Sequence, residues 1–208
     1  MLFYETLLPE RVKLLKRLQA IPALSEYRLV GGTALALQIG HRLSDDLDLF
    51  GLKSLDENEI SKALSKFGDV HLLGISKSIS SYTINKVKVD IVNYPFPWLD
   101  TVNIIDGIRL ATIKDIAAMK IAAITGRGSK KDFYDLVCIL DRFALNDVFD
   151  WYQIKYPSAS LYLALKSMIY FEDAEPNPDP ISLINANWTE VKRVIKQKHM
   201  EYIKNHDL

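Results

Sequence analysis

The sequence predicts a mixed α/β (α+β) domain followed by a helical C-terminal region, and three observations carry that reading. Short segments before residue 111 alternate apolar and polar side chains at a period of two, as half-buried strands do. Gly, Asn and Pro punctuate them. From Thr112 the apolar period becomes that of helices. The expected organisation is a sheet core over 1–111 and a helical region over 112–208.

Taken in order, Pro9 to Leu24 opens with a proline suited to a first helical position and carries the stripe Val12, Leu14, Leu15 and Leu18. Tyr27 to Val30 is a short strand running into Gly31-Gly32. Thr33 to Ile39 has helix-forming composition, with Gly40 as its C-terminal cap. Arg42 to Ser44 is a polar turn, and Asp46 to Phe50 alternates as a strand. Asp56 to Phe67 is an amphipathic helix with Asp56 as N-cap and Glu59 three residues on. Val70 to Ile75, Ser78 to Ile84 and Val87 to Val92 are strands, the last two joined by a tight Asn85-Lys86 turn. Pro95 and Pro97 end that run, and Ile104 to Leu110 adds one short strand around Gly107. Thr112-Ile113-Lys114-Asp115 resembles a capping box and opens a helix to Gly126. Further helices are expected at Lys130–Phe143, Asn146–Lys155, Ser158–Phe171 and Thr189–Asn205, with a Pro/Asn/Asp-rich loop at Glu175 to Pro180. No internal repeat is present.

Composition bounds the function. The 26 basic and 26 acidic residues cancel, so net charge announces neither a nucleic-acid nor a membrane partner, while leaving room for a local patch. Cys138 is the single cysteine and lies in an apolar run, which reads as a small buried hydrophobe. The start, MLFYETLLPERVK, lacks a secretory pattern, and no run is long and apolar enough to span a bilayer. A cytoplasmic protein without a membrane partner is expected.

Chemistry concentrates in Val30 to Phe50. On a strand, Leu47 and Leu49 face one side and Asp46 and Asp48 the other. Two neighbouring carboxylates repel unless a cation lies between them, and such hard oxygens suit Mg²⁺ (or Mn²⁺). Asp45 faces the Leu47 side and reads as a turn residue. A D-x-D pair equally decorates a solvated strand end, but Gly31 and Gly32 stand just before it. They permit close backbone approach and positive φ at a helix N-terminus, where free N–H groups favour phosphate. The Thr33 hydroxyl adds a possible donor.

These residues resemble a known family. GGTALAL followed by GHRLSDDLDLF is similar to the signature of the nucleotidyltransferase fold, specifically the AbiEii/AbiGii-type toxin family, with Arg42, Ser44 and Asp46-Leu47-Asp48-Leu49-Phe50 as the more specific pieces. The likeness continues through KVDIVNYPF and IKDIAAMKIAAITGRGSKKDFYDL, and no motif follows Phe143. It implies a nucleotidyltransferase-like mixed sheet flanked by helices. It also implies a third metal-holding carboxylate on a neighbouring strand, for which Asp90 is the candidate, since Lys88 and Asp90 share the polar face of Val87 to Val92. A lysine meeting nucleotide phosphates is implied too, and Lys120 fills that place. Asp132 and Asp135 match the K-D-F-Y-D piece and would position Lys120 or the ligand; Asp132 alternatively closes a capping box with Ser129.

Arg42 is a candidate partner for Asp46, Asp48 or phosphate, and Ser44 is a candidate nucleotide contact. Arg127, Lys130 and Lys131 surround Gly128-Ser129 at a helix start and suit an anion. The expected catalytic set is Asp46, Asp48, Asp90 and Lys120, the first three as metal ligands. The expected nucleotide-binding set is Gly31, Gly32, Thr33, Arg42, Ser44, Arg127, Lys131, Asp132 and Asp135. No zinc spacing, Walker motif or kinase motif is found.

The resemblance implies transfer of a nucleoside monophosphate from a nucleoside triphosphate to a hydroxyl acceptor. The acceptor would be RNA (tRNA), in a toxin–antitoxin or abortive-infection setting with a cognate antitoxin as partner. Two alternatives remain open at this stage: a nucleotide- or protein-binding module on the same fold without transfer, and an antibiotic-type small-molecule nucleotidyltransferase. The terminal helix carries Lys192, Arg193, Lys196, Lys198 and Lys204, a candidate RNA-backbone surface or simply a solvated face.

Overall fold

Seven strands form one mixed sheet: β1 (Arg28–Leu29), β2 (Leu47–Gly51), β3 (Val70–Ile75), β4 (Ile79–Ile84), β5 (Val87–Asn93), β6 (Asn103–Ile105) and β7 (Ile108–Leu110). Their order is β3-β4-β5-β2-β1-β7-β6. β2 runs parallel to β5 and antiparallel to β1, which in turn pairs parallel with β7. The computed structural model describes residues 1–52, 56–184 and 186–206. The chain divides into two compact units, one of Met1–Pro97 with Val102–Ala111, the other of Trp98–Thr101 with Thr112–Leu208.

In the first unit, α1 (Pro9–Gln19) buries Leu14, Leu15 and Leu18, the stripe its spacing foretells. The expected continuation to Leu24 does not form. Pro22 cannot donate into an ongoing helix, and Pro22–Leu24 is a separate 3₁₀ turn. The helix α2 (Gly31–Ile39) starts two residues earlier than the composition predicts, taking Gly31 and Gly32 into its first turn, and ends on Gly40 in the left-handed region. α3 (Glu57–Leu64) begins where Asp56 accepts from the Asn58 and Glu59 N–H groups. The Asn85-Lys86 turn has both residues at positive φ, which twists the β4–β5 hairpin correctly. Where one short strand was expected around Gly107, the chain makes two. Asp106 (φ 53) and Gly107 (φ 76) turn β6 back onto β7.

One cross-link in this unit joins remote segments. The Arg109 guanidinium donates to the carbonyls of Gln19, Leu24 and Tyr27 at 2.7, 3.0 and 3.1 Å, while the Gln19 side chain closes two hydrogen bonds on the Arg109 backbone. These bonds tie the end of α1 and the segment that follows it to β7.

The second unit contains α4 (Ile113–Gly126), α5 (Lys130–Leu140), α6 (Leu145–Lys155), α7 (Leu161–Met168) and α8 (Trp188–Asn205). Thr112 caps α4 by accepting from the Asp115 N–H. Phe133, Phe171 and Trp188 pack tilted or edge-on with centroids 5.1–5.7 Å apart, a favoured aromatic arrangement. Asp115 and Lys155 are both fully buried and meet at 2.7 Å. Asp115 also accepts from the Leu99 N–H and the Thr112 hydroxyl, and the Lys155 ammonium lies 4.7 Å from the Trp98 ring centre. This network fastens Trp98–Thr101 to the helical unit. Among the described residues, no helix is long and apolar enough to cross a membrane.

Candidate active site

The site is built where α2 begins and β2 and β5 lie side by side. Leu47 and Leu49 are fully buried, as are Val89 and, nearly, Ile91, so the alternate positions on both strands share the opposite face. The parallel register sets Asp48 directly beside Asp90. In a parallel pair, residues in register project to the same side, so two strands distant in sequence deliver adjacent carboxylates. The Val30 N–H donates to the Asp48 carbonyl at 2.9 Å and brings the start of α2 down onto β2.

Gly31 is constrained twice over. Its φ is +68, and a Cβ there would stand 2.7 Å from Asp48 Oδ2. A side chain at residue 31 and the Asp48 carboxylate cannot occupy this space together. The N-cap residue of α2, Val30, has no side chain able to cap it. The first N–H groups of a helix have no intrahelical acceptor, so this end carries donors and the positive end of the helix dipole beside a carboxylate.

The polar turn before β2 supports that corner. The buried hydroxyls of Thr33 and Ser44 meet at 2.8 Å, Thr33 donates to the Asp46 carbonyl, and the Ser44 N–H donates to Thr6 O at 3.0 Å. The Thr33 hydroxyl is therefore directed at the protein; what that residue keeps for a phosphate is its backbone N–H. Ser44 is likewise buried and engaged from within. Arg42 is buried with Nη1 donating to Leu43 O at 2.9 Å. Asp45 points away from the pair and meets Arg11 at 2.8 Å on the surface.

Sequence reasoning noted that Lys88 shares a face with Asp90 but gave it no role. Its ammonium lies 2.8 Å from Asp90 Oδ2. The hydrogen bond to Asp90 raises the Lys88 pKa; burial works against this, and the charges of Asp90, Asp46 and Asp48 add to it. One cation thus feels all three candidate carboxylates. The i, i+2 spacing on one strand is the signal that would have found it. Asp90 Oδ1 is buried and has no hydrogen-bond partner among the described residues.

The donor set fits a divalent cation: three hard carboxylates, one with an unsatisfied buried oxygen, beside a helix start. As the side chains stand, no three acidic, His or Cys groups among the described residues converge closely enough to hold a metal, and Asp90 is turned to Lys88.

In the helical unit, Lys120 is buried on α4 and its ammonium meets Asp132 Oδ1 at 2.9 Å and Asp135 Oδ2 at 2.5 Å. Of the two roles open to those aspartates, this geometry is that of positioning Lys120; both are fully buried. Asp132 also closes the capping box with Ser129. Burial alone would raise the Asp132 pKa, but the Lys120 charge and the hydrogen bonds from Ser129 and Lys120 outweigh it and hold the carboxyl below its ordinary value. The α5 start is consequently occupied from within: the Ser129 N–H goes to Asp132, and the Lys130 N–H to Asn177. An anion there would meet side chains rather than free backbone. Arg127 is largely exposed, 3.9 Å from Asp132, and Lys130 pairs with Asp179 at 3.1 Å.

On α8 three of the five cations meet acids. Lys192 meets Glu175 at 2.6 Å, Arg193 meets Glu190 at 2.7 Å and Lys198 meets Glu201 at 3.7 Å. That pairing reduces the positive field a nucleic-acid backbone would find on this helix.

A Gly-Gly helix start over in-register carboxylates on a mixed sheet is the arrangement implied by the likeness to the nucleotidyltransferase fold. Residues 13–201 match the family described as "Nucleotidyl transferase AbiEii toxin, Type IV TA system", and the chain belongs to it. The chain is 35% identical over 202 residues to the uncharacterized protein aq_aa25 of Aquifex aeolicus (strain VF5), covering 94% of this chain and 97% of that one. Among solved structures it is similar to an H. pylori protein assigned as a nucleotidyltransferase (TM-score 0.57, 21% identity, 93% of each chain). It is also similar to MenT4, the nucleotidyltransferase toxin Rv2826c of Mycobacterium tuberculosis H37Rv (TM-score 0.56, 13% identity, 89% of this chain and 82% of that one). At such identities the two structures speak for the fold.

Proposed function

We propose that the protein is a Mg²⁺-dependent nucleotidyltransferase that moves a nucleoside monophosphate from a nucleoside triphosphate onto a hydroxyl of RNA, with tRNA the acceptor to test first. The observation that carries the reading is the Asp48–Asp90 register beneath the Gly31 helix start. The N–H groups at Gly31, Gly32 and Thr33 hold triphosphate oxygens. Asp46, Asp48 and Asp90 are the residues that would hold the cation, which when bound supplies neutralisation of phosphate charge. Asp90 receives the proton of the acceptor hydroxyl, whose oxygen attacks the α-phosphorus. The α–β phosphoanhydride bond breaks and pyrophosphate leaves. In the helical unit, Asp132 and Asp135 position Lys120, and Arg127 and Lys131 are proposed as side-chain contacts for phosphate. The family supports a toxin role restrained by a cognate antitoxin, in toxin–antitoxin or abortive-infection defence in the cytoplasm.

Incubation with each α-labelled triphosphate, Mg²⁺ and total tRNA tests this. Label transfer to RNA by the wild type and at least a hundredfold less by Asp48→Asn is expected. Triphosphate binding without transfer to any acceptor would leave a binding module instead.

A further inference from the structure

The acidic corner of the sheet unit contains its own cation. Lys88 and Asp90 are two positions apart on β5, where the pleat puts both side chains on one face, and they meet at 2.8 Å. The Lys88 side chain is about half exposed, at 49%, so its head group has solvent to move into, whereas that of Asp90 is only 17% exposed. Asp90 is thus oriented with Oδ2 on the ammonium and Oδ1 buried without a partner among the described residues. Asp48 stands in register beside it. A carboxylate with one oxygen on a lysine and the other unsatisfied is poised to exchange the first partner for a ligand that uses both.

We infer that Lys88 is a displaceable internal counter-ion of the carboxylate cluster, which a divalent cation must drive off Asp90 in order to bind. The inference rests on the metal-dependent reading of the same site. Its physical content is competition. A unit positive charge beside three carboxylates lowers the negative potential that draws a divalent ion in, and it occupies an oxygen that the ion would use. The nucleotide-free protein therefore holds its acidic groups together without metal and binds metal weakly. Lys88 acts on the cation through Asp90, as a positioning residue. It also prevents the mutual repulsion of Asp46, Asp48 and Asp90 from opening the corner.

The test is Mn²⁺ binding to the full-length, nucleotide-free protein, followed by electron paramagnetic resonance, for wild type, Lys88→Gln, Lys88→Met and Lys88→Arg. Removing the charge in the Gln and Met variants tightens Mn²⁺ binding by about three- to tenfold, the range set by a half-exposed ion pair, whereas Arg keeps the wild-type affinity. Unchanged or weaker binding in both neutral variants overturns the inference. Asp48→Asn in the wild-type and Lys88→Gln backgrounds separates the two readings. If it abolishes Mn²⁺ binding while Lys88→Gln has no effect, the metal site stands and the counter-ion role is wrong. If Asp48→Asn leaves Mn²⁺ affinity untouched, or no variant binds Mn²⁺, the metal reading falls and the inference with it.

Discussion

Replacing Lys120 with Met removes the ammonium that meets Asp132 at 2.9 Å and Asp135 at 2.5 Å. Met fills a similar volume, so the effect is electrical. Two carboxylates remain buried, at 1% and 0% side-chain exposure, on one face of α5. Breaking a buried pair by deleting one partner costs about 3–5 kcal/mol because a charge is left uncompensated. For a chain of this size each kcal/mol is worth roughly 2–4 °C in melting temperature, so a fall of about 10 °C at pH 7 is expected. The sign of the pH dependence is the sharper assay. In the wild type the Asp132 pKa is lowered from 3.8, so its stabilisation is complete above that value and is lost as pH falls through the depressed native pKa. In Lys120→Met the lysine no longer opposes burial and the Asp135 charge, both of which raise the Asp132 pKa, so its native value rises above the unfolded one. The variant is then destabilised at neutral pH and recovers as acid protonates Asp132. Denaturant unfolding of both proteins between pH 7 and pH 4 measures this. A loss below 1 kcal/mol at pH 7, or a variant whose stability does not rise toward pH 5, would refute the buried-triad reasoning.

Two further outcomes test other parts of the structure. Gly31→Ala forces a Cβ to 2.7 Å from Asp48 Oδ2 in a left-handed conformation; it should cost about 1–2 kcal/mol and depress nucleotide transfer more than tenfold, as chemical denaturation and the labelled-nucleotide assay would report. A transfer rate equal to wild type would mean that the close approach is incidental. Lys155→Met leaves Asp115 buried with hydrogen bonds but no cation, so a loss of about 3 kcal/mol is expected, together with faster amide exchange at Leu99, whose N–H Asp115 accepts. Unchanged exchange at Leu99 would detach the Trp98–Thr101 segment from this network.

Much of the candidate site was legible in the chain because strand alternation is a local property. Leu47, Leu49, Val89 and Ile91 mark the buried faces, and Asp48, Lys88 and Asp90 follow on the other by the pleat alone, whereas Asp46, expected to open the strand, precedes β2. Helix caps at Asp56 and Thr112 and the Asn85-Lys86 turn are local too, being set by side chains within three residues of the backbone groups they serve. The likeness of Val30 to Phe50 and Ile113 to Leu136 to one family named the chemistry.

What only the tertiary structure decided is pairing over distance. Nothing in the sequence says that β5 lies against β2 in the register that sets Asp90 beside Asp48, since register emerges from the packing of both faces at once. Nor does it say that Lys192 of α8 is met by Glu175, or that Lys155, at the end of a helix, is buried on Asp115 forty residues away. The same holds for the Gly-Gly start. Sequence marks it as a place of close backbone approach; the fold supplies the carboxylate that a side chain at Gly31 would displace. Short-range rules choose the elements, and long-range burial chooses which charges must find one another.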